Sequence, residues 1–159
     1  MLRRLFFALL LVAPWLAHPA AAEPTGPQPV LPKETLVIVT RDGVHHVFHV
    51  EMALTEAQQI TGLMFRKSVP ADGGMLFDWG APIESRMWME NTLVSLDMLF
   101  IGPHGTIRAI AEHTVPESLA VIDSRVPVQA TLEVAAGTAE RLNILVGDKV
   151  LQRIFHNAP

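Results

Sequence analysis

Cysteine is absent from all 159 residues. No disulfide can staple this fold, and no thiolate is available as a nucleophile or a metal ligand, so the chain must rely on its core. A lipid-anchoring cysteine is excluded for the same reason. Basic residues are also short: 12 Lys and Arg stand against 16 Asp and Glu, a net charge of -4. No basic stripe forms anywhere, which argues against nucleic-acid binding and against docking on anionic lipid. A membrane-spanning helix needs about 20 apolar residues, and no run reaches that length. The longest, Leu5 to Leu16, is interrupted by Pro14. The chain has no Gly-x-Ser-x-Gly, no His-Glu-x-x-His, no phosphate loop and no dinucleotide fingerprint, which lowers the expectation of the common enzyme classes. No internal repeat is visible.

What is present begins with a leader. Met1-Leu2-Arg3-Arg4 is positively charged, Leu5 to Leu16 is apolar, and Ala20-Ala21-Ala22 is a small-residue cleavage site. This order is that of a secretory signal peptide, cut after Ala22. Export to the periplasm is expected, with no transmembrane span in the mature chain. Loss of Arg3 and Arg4 takes the charge from -4 to -6. Residues 23–33 follow as a tether. Four prolines between Glu23 and Pro32 favour an extended, polyproline-like segment, expected to lie outside the fold.

Residues 34–157 read as one β-rich domain, long enough to bury roughly two thirds of its unfolded surface. Thr35 to Thr40 is β-branched and apolar, Asp42-Gly43 is a hairpin signal, and His45 to Met52 alternates. Thr55-Glu56-Ala57-Gln58 is a capping box that opens a short helix through Thr61, with Gly62 as its stop. Met75 to Trp79 is a strand ended by Gly80-Ala81-Pro82. Arg86 to Ile101 reads as two apolar runs around a polar turn, hence a hairpin and the organising element. Gly102 to Gly105 turns the chain into a strand at Thr106–His113. Val115 to Val128 lacks a period and is bracketed by Pro116 and Pro127, so an irregular crossing loop is expected. Ala130 to Ala136 is a strand, Gly137 to Leu142 holds a helical turn or two, and Lys149 to Phe155 is the last strand. Many short strands with regular turn signals predict a mainly β, antiparallel, barrel-like or sandwich domain with one or two short helices.

Several residues are not explained by a β core. Asp97 sits inside an apolar run, where a carboxylate must be paired or multiply hydrogen-bonded. Arg66, with its planar fork, is the expected partner; backbone donors near Asn91 are the alternative. Asn91 and Thr92 suit turn chemistry, but beside Trp88 they also make a platform for a sugar or peptide. Arg66, Trp88, Asn91, Thr92 and Asp97 are therefore the candidate ligand-binding set. Glu51, Glu90, Asp97 and Glu133 are the carboxylates from which a glycoside-hydrolase pair would be drawn. Six methionines from Met52 to Met98, with His45, His46 and His49, raise copper(I). Core filling and a solvated strand face explain them more simply.

Five motifs occur in order: Gly62-Leu63-Met64-Phe65-Arg66, Gly74-Met75-Leu76-Phe77, Trp88-Met89-Glu90-Asn91-Thr92, Leu96-Asp97-Met98-Leu99-Phe100-Ile101 and Leu132-Glu133-Val134-Ala135-Ala136-Gly137. Together they resemble the domain family of unknown function 192, from about Leu36 to Phe155. The resemblance implies a small barrel-like β domain, often exported, and implies no activity. The family's usual lysine in the third motif is Glu90 here, which removes the cation an anion site there would use.

The function expected from these observations is a non-catalytic binding or accessory module of the cell envelope, without metal or cofactor. Its partner would be a small molecule or an envelope polymer. A hydrolase of such a polymer and a copper(I) carrier are the alternatives.

Overall fold

The computed structural model describes residues 23–158. The leader expected at residues 1–22 lies outside the described residues. Among the described residues, seven strands form one curled sheet: β1 (Lys33–Val39), β2 (His45–Ala53), β3 (Gly73–Met87), β4 (Leu96–Ile101), β5 (Ile107–Ala111), β6 (Ile122–Ala135) and β7 (Lys149–Leu151). Their spatial order is β5-β4-β6-β3-β2-β1-β7. Two short helices, α1 (Glu56–Thr61) and α2 (Thr138–Arg141), and a 3-10 turn at Arg153–Phe155 complete the fold. The barrel-like, mainly β expectation holds.

The two edge strands meet at one end. Thr106 bridges Lys149, Ile107 N donates to Asp148 O at 3.0 Å, Gly147 N to Ile107 O at 2.9 Å, and Val150 N to Gly105 O at 2.7 Å. These bonds join the margins of the curled sheet and satisfy backbone groups that an open edge would leave unpaired.

One pair departs from the antiparallel expectation. β2 and β3 run parallel, in register Glu51↔Met75 and Ala53↔Phe77. Parallel neighbours need a crossover, and α1 with the segment after it supplies that crossover. The capping box starts α1 as expected: Thr55 Oγ1 accepts from Gln58 N at 3.3 Å, and Gln58 Oε1 accepts from Thr55 N at 3.0 Å.

Arg86 to Ile101 is not a hairpin. β3 and β4 each pair with β6, which lies between them. β4 is buried at all six positions, so it requires neighbours on both edges and cover on both faces. β5 and β6 supply the edges. Two boundaries also move. β3 continues past Gly80-Ala81-Pro82 because those residues form a bulge: Asp78 faces Ala130 and Ile83 faces Val128, five steps on β3 against two on β6. A bulge tolerates proline, which has no N–H to donate to a ladder. β6 begins at Ile122 within the expected loop, with its own irregularity between Asp123 and Pro127. The last strand is shorter than expected and ends at Leu151.

The tether is partly docked. Gln28 Nε2 donates to Gln58 O at 3.1 Å and to Gly62 O at 2.8 Å. Both carbonyls lie at the end of α1, where Gln58 O also accepts from the capping Gly62 N at 2.8 Å. Leu31 N donates to Glu51 Oε2 at 2.8 Å and Met52 N to Pro32 O at 3.1 Å. Residues 28–32 thus lie on the domain rather than outside it.

Strand alternation divides the core into two layers. Leu36, Ile38, Phe48, Val50, Leu76, Leu99, Leu132 and Val134 fill the concave interior with Ala139, Ile144 and Phe155. Met75, Phe77, Met89, Leu96, Met98, Phe100 and Val128 line the opposite face, covered by Leu63, Val69 and Leu31. The methionines fall on both sides: Met52 is interior, while Met75, Met89 and Met98 belong to the other layer.

Candidate functional site

The parity of β6 sets the site. Leu132 and Val134 point into the concave core, so Glu133 points to the opposite layer. There it stands opposite Met75 on β3 and Met98 on β4. Gly74 allows this close approach: a Cβ at that position would lie 2.2 Å from the Glu133 carbonyl oxygen. The Glu133 side chain is buried, and it forms the floor of a cavity of ≈ 310 Å³.

The walls are apolar and aromatic. Phe77 and Trp79, two apart on β3, share the face with Glu133 and stack with centroids 5.7 Å apart at 27°. Trp79 Nε1 donates to Thr131 Oγ1 at 3.2 Å, which fixes the ring beside the residue two before Glu133. Leu63 and Met64 from the segment after α1, and Met87 and Trp88 after the bulged part of β3, close the sides. Trp88 is half exposed (50%) and stands at the mouth. Arg86, loosely paired with Asp123 at 3.5 Å, and Glu56 of α1 complete the rim.

Electrostatically the floor is unusual. Burial alone pushes the Glu133 carboxyl up to about 8, and among the described residues no ion pair or hydrogen bond offsets that cost. Near neutral pH it is a carboxylic acid, able to donate one hydrogen bond. A carboxyl without a partner at the base of an aromatic pocket is a candidate for ligand recognition.

The five candidate residues from the sequence do not converge. Trp88 and Thr92 line the cavity. Asn91 takes the left-handed conformation of a turn, φ 53°, and its carbonyl ties that turn to the segment after α1 by accepting from Phe65 N at 2.8 Å. Thr92 Oγ1 donates to Glu90 O at 3.2 Å. Arg66 lies in a second recess, where Nη2 meets Glu51 Oε2 at 3.1 Å. Asp97 is fully buried and accepts from His113 N and Ala139 N, each at 2.9 Å. The expected Asp97–Arg66 pair is therefore corrected. Asp97 has the parity of Leu99 and Ile101 and faces the concave interior, whereas Glu51 and Arg66 lie on the opposite side of the sheet. Asp97 instead caps the first turn of α2 through Ala139 N and orders the chain at His113.

The other carboxylates are dispersed. Glu51 and Glu133 share a face and flank Met75 across the sheet, but Glu51 opens to the recess with Arg66 and Glu133 to the aromatic cavity. His45 and His49 are exposed on β2 and His46 is half buried. Among the described residues, no group of three His, Asp or Glu is arranged to hold a metal ion.

The order of motifs from Gly62 to Gly137 thus maps onto the cavity walls, its floor and the elements behind it. The model of the DUF192 family, described as Uncharacterized ACR, matches residues 37–152. The chain belongs to the DUF192 family. No curated protein matches it significantly. Two crystal structures resemble this DUF192 domain. One, from Sinorhizobium meliloti 1021, is provisionally named a transcription regulator. It is 44% identical with a TM-score of 0.78, over 80% of this chain and 98% of that one. The other, from Novosphingobium aromaticivorans DSM 12444, is a protein of unknown function. It is 36% identical with a TM-score of 0.75, over 86% of this chain and 99% of that one.

Glu133 carries the signal that sequence reasoning underweighted. It appeared only as one of four carboxylates, although a Glu between Leu132 and Val134 is as anomalous as Asp97. Parity alone separates the two: one faces backbone donors, the other a cavity.

Proposed function

We propose that this DUF192 domain is an exported, non-catalytic binding module of the cell envelope. Its ligand is a small molecule whose apolar body lies against Trp79 and Trp88 and whose polar group meets Glu133. The carrying observation is the unpartnered Glu133 carboxyl at the floor of the ≈ 310 Å³ aromatic cavity. That volume is at the low end of small-molecule sites and suits a compact ligand or the terminal unit of a polymer better than a long chain. Trp88 at the mouth is a large, rigid contact of the kind that dominates binding energy.

The leader-like start at Met1–Ala22 and the net charge of -4 support export and a non-nucleic-acid partner. The provisional name of the Sinorhizobium relative raises transcription regulation. A DNA-binding role calls for a basic footprint, and Arg86 on this cavity rim leans on Asp123.

The test is a thermal-shift screen of purified protein against cell-wall fragments, sugars and small amphipathic compounds. A ligand at 100 times its dissociation constant should stabilise the wild type by about 2.7 kcal/mol. It should leave Trp88→Ala nearly unmoved. Hits that stabilise both proteins equally would overturn the site. Fractionation with intact-mass analysis tests export: a chain beginning at Glu23 outside the cytoplasm is expected, and a cytosolic form retaining Met1 to Ala22 would overturn it.

A further inference from the structure

Three aromatic residues and one unpartnered carboxyl meet in the same small cavity. Phe77 and Trp79 stack beside the floor, Trp88 stands at the mouth, and Glu133 lies beneath them. Aromatic faces carry negative quadrupole potential and attract cations, most strongly when water is excluded. A carboxyl at the base of such a cavity supplies a full countercharge. We propose that the ligand of this cavity is a small organic cation, an amine or quaternary ammonium, held between the aromatic faces and the Glu133 carboxylate. This inference rests on the reading of the cavity as a binding site and adds the class of its ligand.

The charged surroundings are consistent with a cation. Glu56 faces the cavity from α1 and Arg86 faces it from β3. Arg86 is directed partly to Asp123 on β6. From β2, across Met75, Glu51 is occupied by Arg66 of the segment after α1. The residues opposite Glu133 on β3 and β4 are Met75 and Met98 and carry no charge. Among the described residues, Glu133 is thus left without a cationic partner.

Proton balance follows. In the empty cavity burial holds Glu133 protonated up to about 8. A bound cation stabilises the carboxylate, so below that pH binding expels the carboxyl proton to solvent: one proton leaves as one cation enters. Cation affinity should therefore rise with pH and level off above about 8. A neutral ligand hydrogen-bonded to the acid would release no proton.

Three probes of similar size decide the matter: choline, its neutral carbon isostere 3,3-dimethyl-1-butanol, and the anion pentanoate. The described chain has two tryptophans, Trp79 and Trp88, and both line the cavity, so intrinsic fluorescence reports occupancy. Calorimetry at pH 7 in two buffers of different ionisation enthalpy reads proton release. Choline should bind at least about tenfold more tightly than the alcohol at pH 9, a preference equivalent to about 1.4 kcal/mol. At pH 7 it should release close to one proton. Glu133→Gln should abolish the proton release and cut the cation preference to the smaller share the aromatic faces supply, while keeping alcohol binding, and Trp88→Ala should weaken choline in a protein that remains folded by circular dichroism. Equal or tighter binding of the alcohol or of pentanoate would overturn the cation assignment and leave the binding site standing. Failure of all three probes to change fluorescence or melting temperature at tens of millimolar would overturn both.

Discussion

Glu51 Oε2 lies 3.1 Å from Arg66 Nη2 and 2.8 Å from Leu31 N. One carboxylate therefore joins the docked tether, the edge of the parallel pair and the segment that walls the aromatic cavity. Both side chains are largely buried, at 11% and 19% exposure, so water screens the pair poorly.

Removing one member of this pair should destabilise strongly. Arg66→Met should cost about 3–5 kcal/mol in urea denaturation, the range for a half-broken buried pair. Glu51→Leu should cost at least as much, because it also orphans Leu31 N. The double variant should recover a large part of the loss, since neither charge then remains uncompensated. Strict additivity would show that the contact is energetically idle.

Asp97 should behave differently. Its two oxygens serve two backbone donors on separate segments, His113 N and Ala139 N. Asp97→Ala leaves the buried Ala139 N without a partner, at about 1–3 kcal/mol, and the part-buried His113 N at less. Asp97→Asn keeps one acceptor and turns an amide N–H₂ toward the other donor, so it should lose roughly half of that. Adding Arg66→Met should rescue neither variant, because Arg66 lies on the opposite side of the sheet. Recovery in that double variant would contradict this arrangement.

Glu133 predicts an inverse acid response. Burial raises its native pKa from the ordinary 4.5 to about 8. Between those values the native state holds a proton that the unfolded chain has released. Unfolding therefore releases a proton, and stability falls as pH rises through this window, by at most about 1.4 kcal/mol per unit. The loss levels off above about 8. Glu133→Gln should flatten this part of the stability profile and exceed the wild type at pH 9. Denaturant midpoints from pH 5 to 9 measure both effects; a parallel offset of the two profiles would rule out the burial of Glu133 as their cause.

Gly105 should be intolerant of alanine. It has φ +72°, and a Cβ there would lie 2.2 Å from the Val150 carbonyl oxygen, at the junction that joins the two sheet edges. Gly105→Ala should lose at least the 1–3 kcal/mol typical of a strained backbone. Its effect should centre on the junction, with faster amide exchange at Ile107 and Val150 than in β3. Unchanged exchange there would mean that the edges meet without mutual support.

Local chemistry was written in the sequence. The Asp42-Gly43 turn, the Thr55–Gln58 capping box, the Gly102–Gly105 turn and the short helix after Gly137 depend on neighbours in the chain and formed where they were expected. The family motifs and the mainly β character were legible for the same reason, as was the alternation of β2 up to Val50. Partner choice was not. Leu96–Ile101 and Ala130–Ala135 are both apolar enough to sit beside β3, and only the closed sheet decided that β6 lies between β3 and β4. The sequence pointed Arg66 to Asp97, and the fold pairs it with Glu51. Both carboxylates lie in apolar strands, and the choice fell to the one on the same side of the sheet. Glu133 and Asp97 look alike in sequence, each a single acid between hydrophobic neighbours. The tertiary fold turned one toward two backbone N–H groups and the other toward a cavity, because side-chain direction in a strand has a period of two while the faces acquire their environments only when the sheet curls.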